Sequence, residues 1–400
     1  MIISSYTLKK KILKDKYNSI IFKKGKGSVF LVGGYVRDIL RGVKSSDRDY
    51  IITDRNLRPF VHEISSVIGG TVVEFKKDTM IRIALKNGAT CDFSNVQGTL
   101  KNDLSKRDFT INAIAWSLKQ GLVDFYHGLQ DIEKKKISSL SIENLIADPL
   151  RMLRAYRIGA ELGGSIEQET RKMIKTLHNK IKEVSPERIT LELFHLLNSN
   201  NAAKYTKMAF LDGILSDILF ISDKVLEKNI RALSKLERSV LKKLPQRIKL
   251  SLKRLFSQNL TYKGLLSLII LLQGAFYIPM GIKLSNVIKK RIERAQGGIQ
   301  QIRGNKLTAK SRIFDIFLYT KEASEDVLII SGREDLFQEY KRFKNIWKNG
   351  LISSEEIIKI TTIINGRELG VIIYTLRKAQ FYKRVKTKQQ AIKFIKVASA

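Results

Sequence analysis

"FLVGGYVRDILRGVKSSDRDYIIT" (30–53) reads as a strand, a glycine turn, a short helix, a loop and a second strand. Its second strand carries Asp47 and Asp49 two residues apart. Alternate residues of a strand face one side, so both carboxylates point the same way while Tyr50 and Ile51 continue into the sheet. Carboxylates placed like this suit a hard cation; Mg²⁺ takes a few of them together with substrate phosphates and water. Upstream, Gly33 and Gly34 let the backbone approach a ligand and lead into a helix beginning near Tyr35, whose first N–H groups are unpaired. Arg37 adds a fixed positive charge, and a triphosphate fits between glycines and aspartates. A bare DxD would read as a solvated strand edge, but here the Gly-Gly, Arg-Asp and DxD elements follow one another at short spacing, which points to a catalytic phosphate site.

The rest of the chain sets the context. Its 400 residues allow two to four domains, and 73 Lys plus Arg against 38 Asp plus Glu leave a net charge of +35, a balance that favours a polyanionic partner such as nucleic acid. Charge alone would also suit a membrane surface or a ribosome-associated protein. The single cysteine, Cys91, fits a reducing compartment. Residues 1–24 lack the apolar core and cleavage site of a secretory leader. The most apolar stretch, "GLLSLIILLQGAFYIPMGI" (264–282), is interrupted by Gln273, Gly274 and Pro279 and predicts a buried helix ending near Gly274, so no membrane span is expected.

Up to about residue 140, β-branched strand candidates ("SVFLVGG", "DRDYIIT", "GTVVEF", "MIRIALKNG", "ATCDFSNV", "GLVDFYHG") alternate with helical segments at 57–68 and 109–118. From about residue 142 the apolar residues fall at helical spacing with Lys and Arg on the other faces. The expected fold is therefore α+β: a small mixed sheet with helices (1–140), then an all-α neck (141–225), body (226–350) and tail (351–400).

These motifs together resemble the class II tRNA nucleotidyltransferase and bacterial poly(A) polymerase family. "LVGGYVRDILRGVKSSDRDYIIT" is similar to its first motif, "LSKRDFTINAIAW" (104–116) to its second, "ADPLRMLRAYRIGAELG" (147–163) to its nucleotide-selecting helix, and "SPERITLEL" (185–193) to the helix that follows. The C-terminal "INGRELGVIIYTLRKAQFYKRVKTKQQAIKFI" resembles the family's tail, without its usual Gly-Pro-Gly. The resemblance implies a cytoplasmic enzyme that adds C and A to the tRNA 3′ end from CTP and ATP with Mg²⁺. It implies a third carboxylate, Asp92 of "TCDFSNV", binding metal or deprotonating the primer hydroxyl; an edge-strand aspartate is the alternative. Arg107 and Asp108 of "KRDFT" then belong near the sugar and phosphates of the incoming nucleotide, with Asn112 in the same motif helping to hold the helix.

The selecting helix follows from base chemistry. Cytosine and adenine present an amino donor beside a bare ring nitrogen; uracil and guanine present a carbonyl beside an N–H. A carboxylate next to an arginine therefore accepts C and A and refuses U and G. Asp148 and Arg151, three apart, share a helix face, and Arg154 continues the stripe toward the triphosphate. Asp148 before Pro149 also reads as an N-cap. Ala147 stands where the family usually has Glu.

Absences narrow the branch. The four histidines, His62, His127, His178 and His195, form no His-Asp pair, so no metal phosphohydrolase domain is expected, and no basic poly(A)-polymerase signature lies within 57–74. Between Asp92 and Arg107 the chain has only "FSNVQGTLKNDLSK"; a short loop here is a feature of relatives that add CC alone, although some full CCA enzymes are compact too. CCA, CC-only and A-only addition stay open, as does a catalytically silent tRNA-binding relative. The lysine-rich segments 242–256 and 283–296 are candidate helical tracks for an RNA backbone.

Overall fold

The computed structural model describes residues 4–75, 80–275, 279–304, 312–361 and 366–398. Two compact units are present, Met1–Phe220 with Met280–Ile282, and Ile221–Pro279 with Lys283–Ala400.

The first unit opens with helices α1 (Ser5–Lys14) and α2 (Lys16–Gly25) and is built on β1 (Val29–Val32), β2 (Asp47–Ile52), β3 (Thr71–Glu74), β4 (Met80–Ala84), β5 (Thr90–Asn95), β6 (Ile114–Ser117) and β7 (Gly121–Asp124), with α3 (Gly34–Leu40), α4 (Leu57–Ile68) and α5 (Leu100–Ser105) between them. The strand order is β3-β4-β5-β2-β1-β6-β7. Within this sheet β2 and β5 pair in parallel and the other neighbours run antiparallel. Strand alternation divides the sheet's residues between two clusters. One contains Leu31, Tyr50, Ile52, Phe93 and Trp116 with Ile12, Phe22 and Phe60 from the helices. Tyr50 stacks on Phe93 at 5.0 Å, and Phe22 meets Trp116 edge-on at 4.8 Å. The other, smaller cluster contains Phe30, Val32, Ile51, Leu104, Ala113 and Ala115, and the carboxylates lie on its side of the sheet.

Residues 109–118 correct the expected helix: they form a 3₁₀ turn, Thr110–Asn112, followed by strand β6. The apolar run is continuous because β6 is buried on both faces, Ile114 and Trp116 entering the large cluster and Ala113 and Ala115 the small one. A strand covered on both sides has no polar alternation to mark it.

Helix α6 (Gly128–Glu133) ends the head, and α7 (Ile142–Ala147), α8 (Leu150–Leu162), α9 (Gln168–Leu177) and α10 (Pro186–Asn198) follow. Gly159 lets α8 close on Tyr205, since a Cβ there would lie 2.5 Å from the ring. Two-residue strands, Lys136–Ile137 and Ser165–Ile166, pair across the start of this region.

The second unit is mostly helical. Tyr262–Leu271 is buried from Gly264 through Leu271, and Asn229 donates to the Leu271 and Gln273 carbonyls at its C-terminal end (2.9 and 2.7 Å). Residues 276–278 of that apolar stretch, and 364–365 of the tail segment, lie outside the described residues. The basic segment 242–256 is not one helix. Pro245, with no N–H to donate, separates Leu241–Lys243 from Gln246–Leu252, and Leu255–Ser257 then pairs with Leu260–Thr261 through Asn259 at φ +65°. The other basic segment lies largely within helix Asn286–Gly304. Among the described residues no helix is long and apolar enough to cross a membrane.

Candidate active site

Strand β2 explains why acids sit in a core strand. Arg48, Tyr50 and Ile52 face the large cluster, where Arg48 is buried against Asp15 (3.2 and 2.5 Å) and over the rings of Tyr17 and Tyr35. Asp47 and Asp49 face the other way. Asp47 is exposed at the strand's start and accepts from Thr90 Oγ1 at 3.2 Å. Asp49 is deeper. Burial pushes its pKa up, the Arg107 charge opposes the shift, and the neighbouring Asp92 and Asp47 carboxylates add to it.

The turn before α3 is shaped around these groups. Gly33 has φ +74°, and a Cβ there would lie 2.7 Å from Arg107 Nη1 and 3.2 Å from Asp49 Oδ2. Any other residue would strain the backbone and push these side chains apart. A cavity of about 420 Å³ opens here, lined by Gly33, Gly34, Arg37, Asp47, Asp49, Arg107, Asp108, Asn112 and Arg154. The fold thus brings most of the nominated residues to one place from β2, α3, the 3₁₀ turn and α8.

One polar chain fixes the cavity wall. Arg37 Nη1 donates to Asn112 Oδ1 (2.8 Å), and Asn112 Nδ2 donates to Asp108 Oδ1 (2.8 Å). Arg154 donates twice to Asp108 Oδ2 (3.0 and 2.8 Å) and once to Glu192 Oε1 (3.3 Å). Arg157 donates to Glu192 Oε2 (2.6 Å) and to Glu161 (2.8 Å). Burial alone would push the Asp108 pKa up, but Arg154, Asn112 and the Phe109 N–H together bring it below the usual carboxylate range. Asn112 therefore bridges Arg37 of α3 and Asp108 from a 3₁₀ turn, not from the helix expected at 109–118. Arg107 is different: it lines the cavity, and its buried Nε has no hydrogen-bond partner among the described residues.

Three nominated residues are not on the cavity lining. Asp92 neighbours Asp49 in register, but its carboxylate takes two 2.6 Å hydrogen bonds from Arg82 on β4. Nor is it an edge residue, because β5 is third from the end of the seven-stranded sheet. Asp148 closes α7, and its carboxylate accepts from Arg188 Nη2 at 3.1 and 3.0 Å. Helix α8 begins with no side-chain cap. Arg151 Nε lies 4.0 Å from Asp148 Oδ2, while its Nη1 donates to the Asn144 carbonyl at 3.2 Å. Arg188 and Glu192, both within "SPERITLEL", and Arg157 and His195 were not singled out by sequence reasoning; the only signal for the first two was their segment's likeness to the family. His195 lines the cavity, and burial and the Arg157 charge lower its pKa.

Among the described residues no three His, Cys, Asp or Glu side chains are grouped to hold a metal ion. The donor set nevertheless fits a divalent cation that completes its shell with phosphate and water. Two carboxylates share one face, and their mutual repulsion and burial are of the kind a bound cation relieves.

A mixed sheet with a glycine turn facing two strand carboxylates, joined to helices that supply arginines to the same cavity, is an arrangement suited to holding a nucleotide's phosphates with a divalent cation. Residues 29–138 match the family model described as the poly A polymerase head domain, and residues 164–220 match one described as a probable RNA and SrmB-binding site of polymerase A. These parts of the chain are thus similar to the head and RNA-binding parts of the class II tRNA nucleotidyltransferase and poly(A) polymerase family. The chain is 28% identical over 393 residues to a CC-adding tRNA nucleotidyltransferase of Geobacter sulfurreducens, covering 92% of this chain and 91% of that one. A CC-adding tRNA nucleotidyltransferase of Synechocystis sp. is 36% identical over 190 residues, 46% of this chain and 45% of that protein. The chain spans about half the length of the Synechocystis relative and of several others it matches. The same fold occurs in the Thermotoga maritima CCA-adding enzyme complexed with tRNA, with a TM-score of 0.77 at 20% identity and all of both chains covered. It also occurs in a CCA-adding enzyme with CTP, with a TM-score of 0.75 at 19% identity and 99% of each chain covered.

Proposed function

We propose that this chain is a template-independent tRNA nucleotidyltransferase of the cytoplasm, adding C and/or A to the tRNA 3′ end from CTP and ATP and releasing pyrophosphate. The observation that carries the reading is the gathering in one cavity of Asp47 and Asp49 with Gly33, Arg37 and Arg107.

In this reading Asp47 and Asp49 hold Mg²⁺, which when bound would neutralise the triphosphate and acidify the primer hydroxyl. Gly33 and Gly34 admit the phosphates to the backbone, and Arg107 donates to a phosphate oxygen. Arg37, Asp108, Asn112 and Arg154 act as a preorganised wall, so positioning and charge neutralisation supply most of the rate. Asp92 is the third carboxylate, taking the hydroxyl proton when Arg82 releases it. Asp148 and Arg151 read the base edge, with Arg188 holding the Asp148 carboxylate in place.

Replacing Asp49 by Ala tests the reading. Incorporation of labelled CTP into tRNA is expected to vanish while tRNA affinity stays within a few-fold of the parent. A fully active variant overturns the metal assignment, and a parent that extends no tRNA with any nucleotide under Mg²⁺ or Mn²⁺ favours a silent binding protein.

A second reading, CC addition alone, draws support from the short link of residues 96–99 between β5 and α5 and from the names of the Geobacter and Synechocystis relatives. Sequencing the products made from tRNA lacking its terminal CCA, with CTP alone and with CTP plus ATP, separates the two. Ends that stop at CC in both support it, complete CCA ends reject it, and long A tails on unrelated RNA point to a poly(A) polymerase.

A further inference from the structure

The second unit has a cavity of its own, of about 590 Å³, between helices Ile313–Thr320 and Phe337–Lys348. Its floor is aromatic. Phe343 stacks against Trp347 with ring centres 5.8 Å apart and planes inclined by 18°, and Tyr340 lies nearly parallel to Phe343 at 6.5 Å. Phe317 packs against both Tyr340 and Phe343. Core packing accounts for Phe317, Tyr340 and Phe343, which are buried. It does not account for Trp347, which is 44% exposed, nor for the cations around it. Lys321, Lys344 and Lys348 line the same cavity, and none has a carboxylate within ion-pair distance among the described residues. Lys344 Nζ sits 4.5 Å from the centre of the Tyr340 ring. The single acid of the rim, Glu322, is paired with Arg294 at 3.0 Å.

A half-exposed indole, packed on Phe343 and Phe314 and with lysines at its rim, is complementary to a flat ring flanked by negative charge. We infer that this cavity is a second RNA site, in which one unstacked nucleobase lies on Trp347 while its flanking phosphates meet Lys321, Lys344 and Lys348. The inference rests on the reading of the chain as an RNA-directed enzyme and adds a base-stacking contact outside the catalytic cavity.

The protein carries its own probe. Of its two tryptophans, Trp116 is 2% exposed in the core of the first unit, so a quenchable emission reports Trp347. The full chain, in EDTA and without nucleoside triphosphates, is titrated with a short unstructured RNA, with AMP and with polyglutamate. RNA is expected to change the emission saturably, AMP far more weakly, and polyglutamate not at all. Binding of a labelled RNA should weaken about tenfold in Trp347→Ala and little in Trp347→Phe, and its salt dependence should flatten in the Lys344→Ala, Lys348→Ala pair. No saturable response to RNA overturns the inference. An equal response to AMP makes the site a free-nucleotide pocket, and an equal response to polyglutamate makes it a docking site for acidic peptide; either rejects it. Because the titration needs no catalysis, Asp49→Ala protein should give the same curve. A silent Trp347 in an active enzyme rejects this site alone, and an inactive enzyme with a responsive Trp347 rejects only the proposed activity.

Discussion

Arg151 and Asp148 show how much one side chain's neighbours decide. The Asp148 carboxylate accepts from Arg188 rather than capping α8, so it is held in place yet keeps lone pairs for an amino group of a base. If the pair reads C and A, Arg151→Ala leaves the ring nitrogen without a donor. Losing a charge-assisted hydrogen bond costs about 1.5–3 kcal/mol, so kcat/KM for CTP and ATP should fall by about one to two decades and for UTP and GTP by less. Competition assays with all four nucleotides measure this directly. Asp148→Asn should also relax base choice, since its amide presents a donor where a carboxylate only accepts; unchanged selection in that variant would show that Asp148 serves Arg188 and nothing else. Both residues were nominated from their segment's resemblance to the family's selecting helix, with their spacing and the base edges giving the chemical reason. Arg188 was not, because forty positions separate it from its partner and no local pattern records which arginine a fold will bring back.

At the scale of elements, the adjacent strands β4 and β5 set Arg82 directly opposite Asp92, while β2 sets Asp49 on its other side. The middle acid is thus shared between a strand that neutralises it and a strand that carries the candidate metal ligands. If Asp92 takes the primer proton, Asp92→Asn should lower the single-turnover rate by about 10²–10⁴, whereas Arg82→Ala, which frees the carboxylate, should retain most of it. Equal losses of rate and of thermal stability in both variants would instead mark Asp92 as a structural partner. Strands β1 to β5 and helix α4 were readable from alternation, glycines and turn residues. Strand β6 was not, because burial on both faces removes the polar half of the pattern, and helical spacing then fits the same letters.

For the molecule as a whole, a net charge of +35 predicts that RNA binding is dominated by phosphate contacts and counterion release. For six to ten such contacts, tRNA affinity should fall by about a thousandfold or more between 50 and 200 mM salt. The KM for CTP, which meets only the few arginines of the cavity, should change far less. Filter binding and steady-state kinetics over the same salt series compare them, and parallel dependences would mean that the surface charge does not carry the RNA.

Sequence alone determined what is local. The strand–turn–helix–strand that presents Asp47 and Asp49 beside Gly33 follows from side-chain alternation and from glycine's access to positive φ, both properties of neighbouring residues. The change to helical periodicity after the head, and the excess of positive charge, are likewise sums over the chain. Tertiary structure decided the pairings: Arg107 against the glycine turn, Arg154 between Asp108 and Glu192, Arg82 on Asp92, Arg188 on Asp148, and the lysines around Trp347. Each is a choice of one partner among many of the same charge. That choice is made by which elements the apolar core brings together, and the hydrophobic effect that assembles the core is indifferent to the charges it carries along.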